Sequence, residues 1–421
     1  MKILQINEVY KILSTGRTTM ELEEFLTEKG HISLVAYAYR EMPVRRQILV
    51  HRQKKAERRK GHYVIGVKAD RKIHALCSRI TGLQGYFSCL ATHGLIRYIK
   101  EQKPDVIHLH NVHGNFLNLS LLLSYLGKKD IPLVITLHDC WFYTGRCTHY
   151  TVNRCYQWRE GCMKCPNNRN TPISWFFDRC SKMWRDKKRD FDGINRLAVI
   201  GVSDWITNQA KCSFLKDAFL IKRIYNWIDF EVFRPVEAED IRNSLHIEDK
   251  FVILSVAALW CSEKGLQGFI KLAEKLPDCI ILLAGGMDRK LSLPSNIIKV
   301  SPTDNSATLA RLYSAADVYV SLSREESFGK TIVEALACGT PVVTCSTTAL
   351  PELVGNNCGY TVADNSLKGF CRSILMVKRK GKGYFSKHCI RYASMHFSKE
   401  ACVKEYIEVY EKLIAIKTDT K

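Results

Sequence analysis

One stretch of the sequence, residues 317–352, constrains the fold more than any other. Its first part, 317–322, is a short apolar run with β-branched residues, which is typical of a buried parallel strand. Residues 330–338 have helical spacing and are followed by Gly339, a residue that commonly ends a helix. Residues 341–344 predict a second strand. This order of elements predicts a βαβ unit of an α/β protein.

The loop of this unit is a candidate anion-binding site. Its last residues open the predicted helix, where free backbone N–H groups and the helix dipole favour a negative ligand. They are Ser327, Phe328, Gly329, Lys330 and Thr331. Glu326 precedes them and Glu334 follows, so two carboxylates that accept hydrogen bonds from hydroxyls could hold two sugar rings with a diphosphate between them. The alternative is that both glutamates are ordinary charges near a helix N-terminus.

The whole run resembles the nucleotide-binding segment of the retaining GT-B glycosyltransferases of family four. That family's pattern is an acidic residue, Phe-Gly, Glu-Ala and Gly-Thr-Pro-Val-Val. Here it occurs without gaps as Glu326, Phe328-Gly329, Glu334-Ala335 and residues 339–343. The resemblance implies an α/β protein with the GT-B fold, in which two Rossmann-like doubly wound domains face a central cleft. It also implies retaining transfer of a sugar from a nucleotide-diphosphate sugar to a saccharide acceptor.

The length of 421 residues and a repeated strand–helix pattern predict two domains. Residues 225–229 resemble the family's interdomain crossover, with Trp227 in place of its usual glycine. We therefore predict an N-terminal acceptor-binding domain over 1–229 and a C-terminal nucleotide-sugar-binding domain over 230–397. A C-terminal helix, 398–417, is expected to pack back on the first domain, as in the family.

The resemblance assigns further residues to the donor site. Lys264 is expected to reach the donor diphosphate, and a lysine at a helix start needs an anion because it opposes the dipole. The family carries an arginine six residues earlier, where this chain has Ala258. The positive charge of the family arginine must then come from another residue, for example Arg17 or Lys330.

Glycines and a histidine complete the predicted donor site. Gly285 ends a predicted strand, and Gly16 is expected in a loop that faces the donor phosphates or, alternatively, in an ordinary turn. His138 follows another predicted strand and is expected to contact the donor sugar or the acceptor, although a histidine there is often structural. The resemblance makes Glu326, Lys264 and His138 the catalytic set, with Glu334 on the ribose. The cleft segments contain no Asp-x-Asp motif, so no catalytic cofactor is expected.

A cysteine-rich segment follows His138. Four of its cysteines, Cys147, Cys155, Cys162 and Cys165, have the spacing C-x7-C-x6-C-x2-C, which predicts a tetrahedral structural zinc site. The alternative is a loop packed around tryptophans. A comparable insertion occurs in a bacterial exopolysaccharide and capsule subgroup that resembles colanic-acid glycosyltransferases. This resemblance implies a role in cell-surface polysaccharide biosynthesis.

The formal net charge of +21 calls for an acidic partner or surface. Residues 40–72 contain twelve Lys or Arg and three Asp or Glu. Without a nucleic-acid motif, this charge favours an anionic membrane surface over nucleic acid, and the remaining alternative is a merely solvated, repulsive face. The expected contacts are Arg52, Lys54, Lys55, Arg58, Arg59 and Lys60. We therefore expect a lipid-linked acceptor and a cytoplasmic protein peripheral to the inner face of the plasma membrane.

Two other functions fit parts of the sequence. A zinc-containing nucleic-acid-binding protein would explain the charge and the cysteines, but it leaves the unit of Glu326 and Glu334 unexplained. A GT-B phosphorylase would need a pyridoxal lysine or a second phosphate-binding cluster, and the sequence shows neither clearly. The sequence does not distinguish a UDP-linked from a GDP-linked donor.

Overall fold

The structure is a computed structural model that describes residues 1–39, 61–167, 172–288, 291–303 and 305–416. Within these residues the chain forms two compact units. The first contains residues 1–39, 61–224 and 403–416, and the second contains the described residues from 225 to 402. The basic run from Arg52 to Lys60 lies outside the described residues.

The first unit is built on a seven-stranded parallel sheet with strand order β3-β2-β1-β4-β5-β6-β7. The strands are β1 Lys2–Val9, β2 Ile32–Tyr39, β3 His62–Val64, β4 Val106–Leu109, β5 Leu133–Leu137, β6 Leu197–Gly201 and β7 Leu220–Arg223. The helices are α1 Leu13–Glu28, α2 Lys68–Thr81, α3 Cys89–Gln102, α4 Leu119–Lys128, α5 Cys180–Asp192 and α6 Asp204–Lys211. Every residue of β4, β5 and β6 is buried, which explains their continuous apolar sequences.

The second unit is built on a six-stranded parallel sheet with strand order β10-β9-β8-β11-β12-β13. The strands are β8 Phe251–Leu259, β9 Cys279–Gly286, β10 Ile297–Val300, β11 Val318–Ser321, β12 Val342–Cys345 and β13 Gly359–Val362. The helices are α7 Glu239–Ser244, α8 Leu266–Lys275, α9 Ser306–Ala315, α10 Lys330–Ala337, α11 Leu367–Lys380, α12 Lys382–His396 and α13 Lys399–Ala415. From Val403 onwards, α13 belongs to the first unit.

The strand orders confirm the predicted pair of doubly wound Rossmann-like sheets. In each sheet the winding reverses beside the first strand, between β1 and β4 and between β8 and β11. Ligands of open α/β sheets bind outside the carboxyl ends of the strands at such switch points. The predicted strand–helix–strand unit is present as β11, α10 and β12, and Tyr319 pairs with Val342 in parallel register.

The C-terminal helix contributes polar contacts to the core of the first sheet. Tyr410 of α13 hydrogen-bonds to His108 of β4 at 2.8 Å, and Tyr406 hydrogen-bonds to Thr136 of β5 at 3.0 Å. Because all four residues are buried, these bonds satisfy groups that water does not reach. Among the described helices, none combines the length and apolar character that a membrane crossing requires.

Candidate functional site

The loop from β11 to α10 places a polar, partly buried segment at the switch point of the second sheet. Gly329 caps α10 with φ of +109°, a backbone conformation that favours glycine. Ser327 is only 5% exposed, and its hydroxyl has no hydrogen-bond partner within the described part of the chain. A buried unpaired hydroxyl at a helix N-terminus is available to a ligand that carries acceptor oxygens.

The structure brings Lys264 and Glu326 together in the second unit. The Lys264 Nζ donates to the Glu326 Oε1 at 2.5 Å, and the two side chains are 37% and 25% exposed. The residue next to Lys264, Gly265, caps α8 with φ of +78°, and a Cβ there would lie 2.4 Å from the Leu322 Cβ. This close approach brings the start of α8 against the end of β11.

Glu326 is also held by its backbone. Its N–H donates to the Thr348 Oγ1 at 3.0 Å, and its carbonyl accepts from the Ala349 N–H at 3.3 Å. The segment after β12 therefore fixes the residue that pairs with Lys264. Lys330 and Thr331 lie in the first turn of α10, and the Thr331 hydroxyl accepts from the Tyr319 hydroxyl at 2.8 Å.

Glu334 lies about one turn into α10, which begins at Lys330. It is only 7% exposed, and its Oε2 accepts from the Tyr313 hydroxyl at 2.8 Å. Burial, together with the neighbouring carboxylate, raises the pKa of Tyr313 well above its usual value, so the phenol stays a donor. Glu334 thus links α10 to α9, and its contact with a ribose stays a prediction.

Gly285 has a structural reason to be glycine. Its φ is +131°, and a Cβ there would lie 1.7 Å from the carbonyl oxygen of Ala257 on the neighbouring strand. Its role in donor binding stays a prediction. Ala258, at the position of the family arginine, is exposed near the end of β8.

In the first unit, the structure changes the setting of Gly16 and Arg17. The sequence predicted Gly16 in a loop or a turn, but α1 begins at Leu13 and contains both Gly16 and Arg17. The turn is made by Lys11 and Leu13, whose φ values are +67° and +57°. A Cβ at Gly16 would lie 3.2 Å from the Lys11 backbone nitrogen, so the glycine allows close packing of the helix on this turn.

His138 follows β5 and joins a chain of buried polar groups. Its Nε2 lies 3.0 Å from the His110 Nδ1, and the His110 Nε2 lies 3.1 Å from the Gln5 Oε1. Burial, with the nearby histidines, lowers the pKa of His110 well below its usual value, so its ring is neutral at neutral pH. The structure therefore places His138 at the carboxyl edge of the sheet, where one of its ring nitrogens contacts another histidine.

A neighbouring ion pair was not identified from the sequence. The His113 Nε2 lies 2.8 Å from the Asp139 Oδ2, and the Asp139 Oδ1 accepts from the Trp141 backbone N–H at 2.8 Å. Burial by itself would lower the pKa of His113. The charge of Asp139 and its hydrogen bond have the larger combined effect, so the pKa of His113 is raised. Burial likewise opposes ionisation of Asp139, but His113 lowers the pKa of Asp139. The partners are separated by 26 residues, so no local pattern reveals the pair.

The four predicted zinc ligands line one small cavity, together with Cys180 at the start of α5. Cys147 and Cys180 lie beside Cys165, and their thiols lower the pKa of the Cys165 thiol. The same contact raises the pKa of Cys147 and of Cys180. Cys180 was not identified because it lies beyond the closely spaced cysteines.

The predicted tetrahedral zinc site requires four thiols grouped around one point. Within the described ranges, no three or more His, Cys, Asp or Glu side chains are grouped so that they could hold a metal ion. Cys147, Cys165 and Cys180 lie together as a cluster of thiols that lines the small cavity. The zinc site stays a prediction that metal analysis can test.

A buried lysine holds the cysteine-rich segment in place. The Lys187 Nζ donates to the carbonyl oxygens of Trp141 and Thr144 at 2.6 and 3.0 Å, and it lies 3.5 Å from the centre of the Trp141 ring. Burial lowers the pKa of Lys187 to about 7. This ammonium fixes the backbone that follows Asp139.

Two family models match consecutive parts of the chain. Residues 15–232 match the model described as Glycosyltransferase Family 4, and residues 236–394 match the model described as Glycosyl transferases group 1. The chain is 23% identical to the Escherichia coli (strain K12) protein WcaC, whose name assigns it to colanic acid biosynthesis as a glycosyl transferase. That alignment covers 74% of this chain and 77% of the relative.

Solved structures of low sequence identity share the fold. Sucrose-phosphate synthase from Thermosynechococcus elongatus superimposes with a TM-score of 0.72 at 16% identity, covering 99% of this chain and 100% of that one. The Anabaena protein Alr3699/HepE, solved in complex with UDP, superimposes with a TM-score of 0.66 at 16% identity, covering 98% and 100%. The Anabaena protein has also been solved with UDP-glucose.

Proposed function

This chain belongs to glycosyltransferase family 4 and has the GT-B fold, and on that premise we propose that it transfers a sugar from a nucleotide-diphosphate sugar to a saccharide acceptor with retention of configuration. The observation that carries the proposal is the contact between Lys264 and Glu326, beside the N-terminus of α10 with its buried, unpaired Ser327 hydroxyl. Cation, carboxylate and free amides are the groups that a sugar diphosphate requires.

In this proposal the donor diphosphate binds at the start of α10, where backbone N–H groups and the helix dipole stabilise negative charge. Lys264 supplies the positive charge, and it exchanges its bond to Glu326 for a phosphate oxygen when the donor enters. Glu326 is then free to accept from a sugar hydroxyl. The Anabaena protein of similar fold, solved with UDP and with UDP-glucose, supports a uridine-linked donor, and GDP remains the alternative to test.

The transfer breaks the bond between the sugar's anomeric carbon and the diphosphate oxygen and forms a bond to the acceptor hydroxyl oxygen. For retention, the acceptor approaches on the face from which the diphosphate leaves. The proton of the acceptor hydroxyl passes to the leaving phosphate oxygen. Lys264 and the α10 amides stabilise the charge that grows on that oxygen, an electrostatic contribution that is typically among the largest in catalysis. His138 is proposed to contact the sugar or the acceptor.

The acceptor is proposed to be a lipid-linked saccharide used in the synthesis of an exopolysaccharide or capsule. The relative WcaC, named for colanic acid biosynthesis, supports a polysaccharide product. The formal net charge of +21 supports an anionic membrane surface as the place of reaction. We propose that the protein works on the cytoplasmic face of the plasma membrane.

The test is a screen of UDP, GDP and their glucose conjugates for thermal stabilisation and for slow donor hydrolysis, with EDTA as a parallel arm. We expect one nucleotide to raise the melting temperature and its sugar conjugate to be hydrolysed. The anomeric configuration of the first product, followed by NMR, must match that of the donor. Inversion contradicts the retaining mechanism. Binding of random DNA without binding of any nucleotide contradicts the proposed function and favours the nucleic-acid alternative.

A further inference from the structure

Helix α2 buries polar residues and exposes apolar ones, the reverse of a typical surface helix. Its buried residues are His74 and Ser78, whereas Ile73, Leu76 and Ile80 are 61%, 48% and 39% exposed. These three recur at spacings of three and four, so they form one stripe along the outer face of the helix. A surface helix normally buries such a stripe, and its exposure therefore requires an explanation.

The inward-facing side of α2 is held by contacts of His74. The His74 Nδ1 lies 2.8 Å from the Ser88 Oγ, and burial lowers the pKa of His74 to about 4, so the ring is neutral. Its edge contacts Phe87 in a T-shaped arrangement with ring centres 5.4 Å apart. These contacts fix the rotation of α2, so the apolar stripe is held outward.

A second exposed apolar segment continues the stripe. The Trp175 N–H donates to the Arg79 carbonyl oxygen at 2.7 Å, and the Phe177 carbonyl packs against Gly82, the cap of α2. Trp175, Phe176 and Phe177 are 52%, 69% and 49% exposed. The stripe on α2 and this aromatic segment together form what we call the α2 patch.

Cations border the α2 patch. Lys68, Lys72 and Arg79 are exposed and lie along one edge of the α2 stripe by helical spacing. The Arg79 guanidinium lies 6.0 Å from the Trp175 ring, and the Arg179 guanidinium lies 5.3 Å from the Phe177 ring. Asp178 is the exposed carboxylate beside them. Aromatic and aliphatic side chains edged by Lys and Arg are the composition of helices that lie in a membrane interface.

We propose that the α2 patch docks in the interface of an anionic lipid bilayer. Lys68, Lys72 and Arg79 would contact lipid headgroups, while the stripe and the aromatic rings enter the boundary with the acyl chains. Charge favours a bilayer over a second copy of the chain as the occupant. Two copies would bring the positively charged borders of their patches together, and each copy has a net charge of +21. The inference rests on the proposed function and specifies which surface binds the membrane. It predicts that apolar side chains insert into the bilayer, in addition to the attraction between cations and lipid headgroups.

The test compares the full chain with the variant Ile73→Gln/Leu76→Gln/Ile80→Gln. Glutamine keeps helix propensity, and the positions are exposed, so the fold should persist, as a thermal melt will check. Flotation with phosphatidylglycerol vesicles should give a partition coefficient at least about tenfold lower for the variant. The matched control, Leu375→Gln/Met395→Gln, changes exposed apolar helix residues of the second unit and should bind like the wild type.

Two further measurements identify the occupant. Vesicles should shift the tryptophan emission of the wild type to the blue, and Trp175→Phe should lose most of that shift. Lys72→Gln/Arg79→Gln should weaken binding to phosphatidylglycerol but not to phosphatidylcholine vesicles, and added salt should mimic that loss. Equal flotation of the wild type and the triple variant overturns the proposal. So does a vesicle-independent dimer that the triple variant dissociates, because the patch is then an interface between copies.

Vesicle binding is measured without donor or acceptor, so its failure leaves the proposed reaction standing. Conversely, if the protein floats with vesicles but hydrolyses no nucleotide sugar, the inference about the α2 patch stands and the proposed function is contradicted.

Discussion

The ammonium of Lys264 donates to the carboxylate of Glu326 at 2.5 Å, across 62 residues of sequence. Both charges lie at the switch point of the second sheet, and neither side chain is fully buried. An ion pair this exposed contributes at most about 1 kcal/mol to stability. Stability alone therefore gives little reason for these two charges to lie together. A ligand gives a better reason, because its phosphate can bind Lys264 and its hydroxyl groups can bind Glu326.

Removing either partner should therefore slow the transfer strongly without unfolding the protein. We expect Lys264→Ala and Glu326→Ala each to lower the rate about 10²-fold or more, the scale of removing one electrostatic stabiliser. The controls are Lys271→Ala and Glu274→Ala, which change exposed charges of α8 outside the pair. Wild-type turnover in either site variant would refute the assignment.

The hydrogen bond between Tyr313 and Glu334 should matter mainly for stability. Because a buried carboxylate accepts from this hydroxyl, Tyr313→Phe should lower the free energy of unfolding by about 1.5–3 kcal/mol. Tyr384→Phe, at an exposed tyrosine, should leave it unchanged. Denaturant titration measures both.

Glu334→Gln separates packing from ribose binding. If Glu334 also contacts the ribose, this variant should bind the nucleoside diphosphate more weakly than Tyr313→Phe does. Equal affinities in calorimetry would leave Glu334 with a structural role only.

The pair of His113 and Asp139 should make stability depend on pH in two directions. The folded-state pKa of His113 is raised, so its contribution is complete below the unfolded value of 6.5 and is lost as pH rises through the folded value. The folded-state pKa of Asp139 is lowered from 3.8, so its contribution is present above that value and is lost as pH falls through the folded value.

His113→Gln should therefore cost more stability at about pH 6 than at about pH 8.5. Unfolding titrations at both pH values measure the difference. A loss of equal size at the two values would mean that the ion pair does not control it. His93→Gln, at an exposed histidine of α3, is the control.

The cysteine cluster predicts a measurable metal content. If Cys147, Cys155, Cys162 and Cys165 hold structural zinc, protein purified without chelator should contain stoichiometric zinc, and Cys165→Ser should lose it. Cys212→Ser changes an exposed cysteine and should retain the metal. Elemental analysis measures this content, and a folded protein with negligible zinc would contradict the zinc site and leave a cysteine-rich loop packed around tryptophans.

The basic run is a separate prediction from sequence. Replacing Arg52, Lys54, Lys55, Arg58, Arg59 and Lys60 with glutamine should weaken binding to phosphatidylglycerol vesicles in low salt, since each cation near the surface adds about 1 kcal/mol. The difference should shrink at about 1 M salt, where the Debye length falls to about 3 Å. Unchanged flotation at low salt would make the run a solvated surface.

The sequence by itself determined the elements whose signals are local. The strand–helix–strand unit of β11, α10 and β12 follows from an apolar run, helical spacing and a terminating glycine, all within 30 residues. The family motif likewise identified Lys264 and Glu326 separately. The family resemblance also implied two doubly wound sheets, and the alternation of strands and helices along the chain fits an α/β protein.

Only the tertiary structure decided which residues meet and which faces are covered. The close approach of Gly265 to Leu322 lies beside the contact of Lys264 with Glu326, residues that are 62 positions apart. The spacing of Ile73, Leu76 and Ile80 puts them on one face of α2, but only the contacts of His74 on the opposite face show that this stripe points outward. The physical reason is that periodicity records which residues share a face, whereas burial, pairing and pKa depend on neighbours that chain folding brings from far away in the sequence.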